Sequence, residues 1–180
     1  MRIISGTHKG RHIYPPKTFR ARPTTDFAKE SLFNILNNHF NFEELEVLDL
    51  FSGTGSIAYE FASRGARLVT AVENNEIHYR FIRKTLEAFD FDRVKLIRGD
   101  AFLFLNRPYQ SFDIIFADPP YDHEKLGLLP DLIFRTNILA EGGWFILEHS
   151  SRYTFGEHPR FLQLRKYGGV EFSIFGRLSD

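Results

Sequence analysis

The sequence predicts an α/β fold with a doubly wound, mostly parallel sheet. Three observations predict it. Short apolar β-type runs alternate with helical segments through residues 46–149, several of these runs end in a carboxylate, a glycine loop or a proline pair, and the last two runs are joined by Gly168-Gly169 with no helix between them. Strands separated by helices imply right-handed crossovers and parallel neighbours. The direct Gly-Gly connection implies an antiparallel C-terminal hairpin at the sheet edge.

Each element has its own local signal. "RIISG" and "GRHIYP" read as a small β-hairpin around Thr7-His8-Lys9, followed by the loop "PPKTFRARPTT". A helix starts at Thr25 or Asp26 as N-cap, with Ala28, Leu32, Ile35 and Leu36 on its inner face. Strand "EVLDLF" leads into the loop "SGTGS" and a helix from Ile57 to Arg64 that Gly65 closes. Then follow strand "RLVTAVE", a helix over 76–89, strand "RVKLIRG", a short helix over 101–106, strand "FDIIFA", a helix over 124–137 and strand "GWFILEH". "RFLQLRKYGG" and "VEFSIFG" form the hairpin. Residues 1–25 thus read as a basic hairpin and arm, and 26–180 as one domain.

Composition bounds the function. A chain of 180 residues that is 43% hydrophobic and 16% aromatic buries roughly 70% of its unfolded surface. With no Cys, it has no disulfide, thiol nucleophile or cysteine zinc site. Its seven His lack metal-ligand spacing, so no metal is expected. The longest apolar runs, of about six residues, fall far short of the roughly 20 that cross a bilayer, and "MRIISGTHKG" lacks a signal peptide's apolar stretch. A soluble, cytoplasmic monomer is expected. Most of the 20 Phe belong to the core.

Charge is unevenly distributed. Arg2, Lys9, Arg11, Lys17, Arg20 and Arg22 precede Asp26 with no acid among them, so 17 Lys and Arg face 23 acids in the remainder, a formal charge of −6 there. The arm is therefore a candidate for phosphate contacts.

Ligands of an open doubly wound sheet gather at the strands' carboxyl ends, near the switch in strand order. In "LDLFSGTGSIA", Gly53 and Gly55 permit a tight turn and the next helix offers its N-terminus. Gly53, Gly55 and Ala58 also satisfy the dinucleotide pattern. Asp49 discriminates, because a carboxylate repels a pyrophosphate and attracts the ammonium and sulfonium of S-adenosylmethionine (SAM). Glu73, 20 residues beyond Gly53, has the spacing of a ribose-binding acid. Asn74 and Asn75 follow it as candidate ligand or cap residues. In "RGDAF", Asp100 is either an adenine ligand or an N-cap.

"ADPPYDHEKL" ends the fourth strand. Its two prolines stop the ladder and hold Asp118 and the Pro119 carbonyl rigidly. An amine conjugated to a ring is a poor nucleophile, and these two acceptors can hold its N–H groups and turn the lone pair toward a sulfonium methyl. Tyr121 is placed to stack on a flipped or single-stranded base. Glu148 and His149 end the next strand and are candidates for the pocket lining.

In this position "DPPY" resembles the SAM-dependent methyltransferases of exocyclic and amide nitrogens. Together with "RIISGTHKGRHI", "RPTTDFAKESLFNIL", "VLDLFSGTGSIAYEFASRGA", "DIIFADPPY" and "YGG", it resembles the RsmD family, over nearly the whole chain and in order. The resemblance implies a Rossmann-like class I SAM-dependent methyltransferase. Its seven-stranded sheet would carry an N-terminal hairpin extension, and its target would be guanine N2 of small-subunit ribosomal RNA, in the subunit or an assembly intermediate. It implies SAM against Asp49, Phe51, Gly53, Gly55, Glu73, Asn74, Asp100, Ala101 and Asp118, the base at Asp118, Pro119, Pro120 and Tyr121, and RNA along Lys9, Arg11, Arg22, Pro23 and Thr24. The chain departs from the family pattern at Phe27 and Thr85. Competing readings are an adenine-N6 methyltransferase, an NAD-dependent oxidoreductase and a catalytically dead RNA-binding module.

Overall fold

The computed structural model describes residues 1–19, 24–106 and 110–176. Seven strands form one sheet in the order β3-β2-β1-β4-β5-β7-β6: β1 (Glu46–Leu50), β2 (Leu68–Glu73), β3 (Val94–Arg98), β4 (Phe112–Ala117), β5 (Leu139–His149), β6 (Phe161–Tyr167) and β7 (Val170–Gly176). β1 to β5 pair in parallel, and β7 runs antiparallel between β5 and β6. The strand order reverses where β1 pairs with both β2 and β4. Ligand sites of such sheets form at this switch.

The helices are α1 (Asp26–Asn37), α2 (Ser56–Ser63), α3 (Glu76–Ala88), α4 (Ala101–Leu105) and α5 (Leu129–Arg135). The Thr25 side chain accepts the Ala28 amide and caps α1, as expected. That helix buries Phe33 and Lys29 as well as Ala28, Leu32 and Leu36, whereas Ile35 is only half-buried. The helix expected over 124–137 is shorter. Pro130 lacks an N–H and fits only a first turn, so α5 begins at Leu129 and Leu126–Leu128 form a 3-10 turn. β5 begins four residues before the expected "GWFILEH", its register against β4 shifting between Phe112 and Ile114.

Strand alternation divides the core between two faces. Val47, Ile114, Phe116 and Ile146 pack with Phe33, Leu36 and Phe61 on one side, and Leu48, Ile115, Ala117 and Leu147 pack with Leu129 and Ile133 on the other.

The N-terminal hairpin is a short ribbon with a single β-bridge, Arg2 to His12. Ile3 and Ile13 bury against Tyr59, Ile82 and Phe91. At its turn, Gly6 approaches so closely that a Cβ there would collide with the Ser63 carbonyl. A buried charge network fastens the ribbon. Glu60, fully buried, accepts the Ile4 and Ser5 amides at 2.8 and 3.1 Å and Arg64 Nε at 2.8 Å, and Lys29 Nζ lies 3.7 Å away. Lys29 in turn donates to the Arg2 carbonyl at 2.7 Å and to Ser56 Oγ at 3.1 Å. Burial lowers the Lys29 pKa, and Glu60 is the main influence opposing that. Removing one partner of such a network strands the other charge. Glu60→Ala is therefore expected to cost about 3–5 kcal/mol in urea unfolding and to expose the ribbon to proteolysis. Wild-type stability in the variant would remove the network from this account.

Candidate active site

The site is built at the carboxyl ends of β1, β2, β4 and β5. After β1 the backbone turns through positive φ at Phe51, Gly53 and Gly55 before α2 begins. Glycine takes such angles without steric cost. A Cβ at Gly55 would collide with the Tyr59 ring, so this glycine serves packing behind the loop as well as its turn. Glu73 fixes the loop, its carboxylate accepting the Gly53 amide at 2.7 Å and the Asn75 amide at 2.7 Å. The 20-residue spacing thus has a structural cause, and lone pairs remain on both oxygens for a ribose. Asn75, rather than the exposed Asn74, caps α3. Asp100 caps α4 by accepting the Leu103 amide at 2.9 Å, with Ala101 buried behind it.

β1 and β4 are hydrogen-bonded neighbours with Leu50 opposite Ala117, strands about 4.8 Å apart. Asp118, the residue after Ala117, therefore stands beside the Asp49 end of β1. Asp49, Phe116 and Ile146 occupy one cross-strand row, and side chains two residues apart share a face. Asp118 and Glu148 accordingly extend the face that carries Asp49. Tyr121 donates its hydroxyl to Glu148 at 3.1 Å, and Thr24 donates to the other Glu148 oxygen at 2.8 Å. Pro119 is buried and Pro120 exposed. Phe51 meets Phe102 edge-on, and His123 stacks on Phe102 at 4.8 Å.

Among the described residues, the expected RNA contacts Lys9, Arg11 and Thr24 do not form one patch. Lys9 and Arg11 are exposed at the turn end of the ribbon, which docks on Ser63 and Phe89 at the far ends of α2 and α3. α2 starts at the site and is about 12 Å long, and the turn of the ribbon docks at the end of that helix away from the site. Thr24 requires correction as an RNA contact: it is 6% exposed and its hydroxyl is committed to Glu148. Arg22 and Pro23 lie outside the described residues. Of the two departures from the family pattern, Phe27 is exposed with its ring edge-on to Tyr167, and Thr85 is buried with its hydroxyl on the Phe81 carbonyl. Glu148 is bonded by Tyr121 and Thr24, whereas His149 turns to Ser173 and the Ser150 carbonyl.

Three carboxylates therefore share this corner, Asp49 and Glu148 buried and Asp118 half-buried. Among the described residues no basic side chain forms an ion pair with any of them, and no cluster suited to a metal ion is found. Burial pushes the Asp49 carboxyl from 3.8 up to about 7, against the Ser52 hydroxyl and Ala58 amide and aided by Glu73. Burial, then Glu148, then Asp49 raise Asp118 well above the carboxylate range. Burial also raises Glu148, while the Thr24 and Tyr121 hydroxyls hold it down. Asp49 is 1% exposed and its Oδ2 has no hydrogen-bond partner. An orphaned buried acceptor next to a glycine loop fits the ammonium of SAM. A carboxyl raised on folding contributes stability below its unfolded pKa and loses it as pH rises through the folded value. For Asp49 that window runs from 3.8 to about 7. Asp49→Asn is thus expected to raise the melting temperature of the ligand-free protein at pH 8, by about 5 °C or more, and to weaken SAM binding in calorimetry. A variant that melts lower and binds equally well contradicts both assignments.

The family model described as Conserved hypothetical protein 95 matches residues 1–176. A "Ribosomal RNA small subunit methyltransferase D" from Buchnera aphidicola is 32% identical over 151 residues, which span 84% of this chain and 76% of that protein. A "Putative rRNA methyltransferase YlbH" from Bacillus subtilis is 34% identical over 153 residues, 83% of this chain and 82% of that one. Among solved structures, a putative methyltransferase, yhhF, from Escherichia coli superposes with a TM-score of 0.86 at 26% identity, over 100% of this chain and 99% of that one. The fold is that of SAM-dependent methyltransferases. The chain belongs to the RsmD family, that of the ribosomal RNA small subunit methyltransferase D proteins.

Proposed function

We propose that the chain methylates the exocyclic N2 of a guanine in small-subunit ribosomal RNA. The observation that carries this reading is the adjacency of Asp118, at the end of β4, to Asp49 and the glycine loop at the end of β1. It puts an amine-holding carboxylate next to a cofactor-holding one. When bound, SAM supplies an electrophilic methyl group whose leaving thioether is neutral. The Asp118 carboxylate and the Pro119 carbonyl accept the two N–H groups of the target amine and turn its lone pair out of the ring system. The Asp118 charge also stabilises the positive charge that grows on nitrogen. The Tyr121 ring, steadied by its hydroxyl bond to Glu148, stacks on the base. The choice of ribosomal RNA follows the names of the relatives, and the choice of guanine follows the run of motifs shared with the family.

Labelled-SAM transfer to undermethylated small subunits and to free RNA, with the product identified by nuclease digestion and mass spectrometry, tests the reading. N2-methylguanosine is expected, and N6-methyladenosine would overturn the choice of base. Asp118→Ala is expected to lower kcat by about 100-fold or more while retaining most SAM affinity; equal turnover by the variant would remove Asp118 from the reaction. Reversing Lys9 and Arg11 to Glu is expected to weaken RNA binding and to flatten its salt dependence by roughly one to two in log-log slope. An unchanged slope would exclude the ribbon from the RNA footprint.

A further inference from the structure

Glu148 is a buried acid for which the reaction as derived so far has no direct use. It is 3% exposed, and burying a carboxylate is costly unless it is well bonded. Both of its oxygens are engaged by hydroxyls that hold it in one place, Tyr121 at 3.1 Å and Thr24 at 2.8 Å. Leu147 sits opposite Ala117, so Glu148 and Asp118 emerge side by side from adjacent strands. Two carboxylates so placed repel, and each is eased by a nearby proton or positive charge. Nitrogen methylation generates one such charge at this spot.

We infer that Glu148 is a positioning residue for the transfer, holding the Tyr121 ring and a second negative charge against Asp118 so that Asp118 takes the proton the methylated amine sheds. The inference rests on the proposed nitrogen methylation. The amine lone pair forms the N–C bond as the C–S bond breaks and its electron pair leaves with sulfur. The nitrogen then bears a positive charge. Its N–H bond breaks, the pair returns to nitrogen, and the proton bonds to an Asp118 oxygen before passing to water. A neighbouring negative charge makes Asp118 a better acceptor.

The groups around Glu148 are few among the described residues. Asp118 faces it from the end of β4, Tyr121 from the following loop and Thr24 from the residue pair before α1, while Asp49 on β1 acts on Asp118. Phe172 lies opposite on β7. The neighbouring His149 bonds Ser173, and its cross-strand partner Glu171 is held by Lys166 at 2.9 Å.

The test measures kcat against pH on ribosomal RNA substrate for the wild type and Glu148→Gln, with SAM affinity and melting temperature as controls. Absence of transfer by the wild type would sink the proposed function itself. With an active wild type, Glu148→Gln is expected to bind SAM within about threefold of wild type and to lose about 10- to 100-fold in plateau kcat. Its acid limb is expected to move to lower pH, because Asp118 no longer faces a second charge. A plateau within twofold of wild type, or an acid limb that stays in place, overturns the inference. The wild-type profile tests it independently of how the variant folds: its acid limb is expected above the ordinary carboxylate range, near 4, and a limb within that range overturns it.

Discussion

Strand register decides this site. β1, β4 and β5 lie side by side with Asp49 opposite Phe116 and Phe116 opposite Ile146, so the acids at their carboxyl ends fall on one face. A one-residue slip would send each side chain to the other face, and register is held by the buried rows beneath. Leu48, Ile115 and Phe145 fill one side while Val47, Ile114 and Phe116 fill the other. The apolar core thus sets the positions of charges it cannot itself stabilise.

Those charges make the corner a store of electrostatic strain. The three carboxyls are all shifted toward their neutral forms, with burial as the first cause in each. Such an arrangement is poor for folding and suited to cations, in the proposed reaction an ammonium at Asp49 and the charge that grows on an amine at Asp118.

The N-terminal ribbon follows a different logic. Its backbone amides are taken up by Glu60, which Lys29 and Arg64 flank. Arg64 also lies 4.8 Å over the Phe33 ring, so the network joins the ribbon, α1 and α2. The end of the arm is tied to the opposite side of the site through Thr24 and Glu148. Two acids buried in the methyltransferase fold thus help to fasten the described part of the first 25 residues, Glu60 at the ribbon and Glu148 at Thr24.

By itself the sequence determined the parallel sheet, the glycine turn after the first strand and the rigid acid after the fourth. Their signals are local: alternation, Gly at positive φ, and prolines that end a ladder in their own segment. It also allowed two roles for Asp100 and Glu73, each of which proves to have a local bond that leaves further lone pairs open. Only the tertiary structure decided the roles of Lys29, Glu60, Thr24 and Glu148. Lys29 shares the i, i+3, i+7 stripe of Leu32 and Leu36, but a lysine there reads from sequence as a side chain that carries its charge out to water, and Glu148 reads as a polar end to an apolar strand. The partners of Lys29 stand 27 and 31 residues away, the ribbon amides on Glu60 55 and 56, and Thr24 and Glu148 are 124 apart. A charge's role depends on what burial and long-range contacts bring to it, and those distances appear only once the sheet has closed.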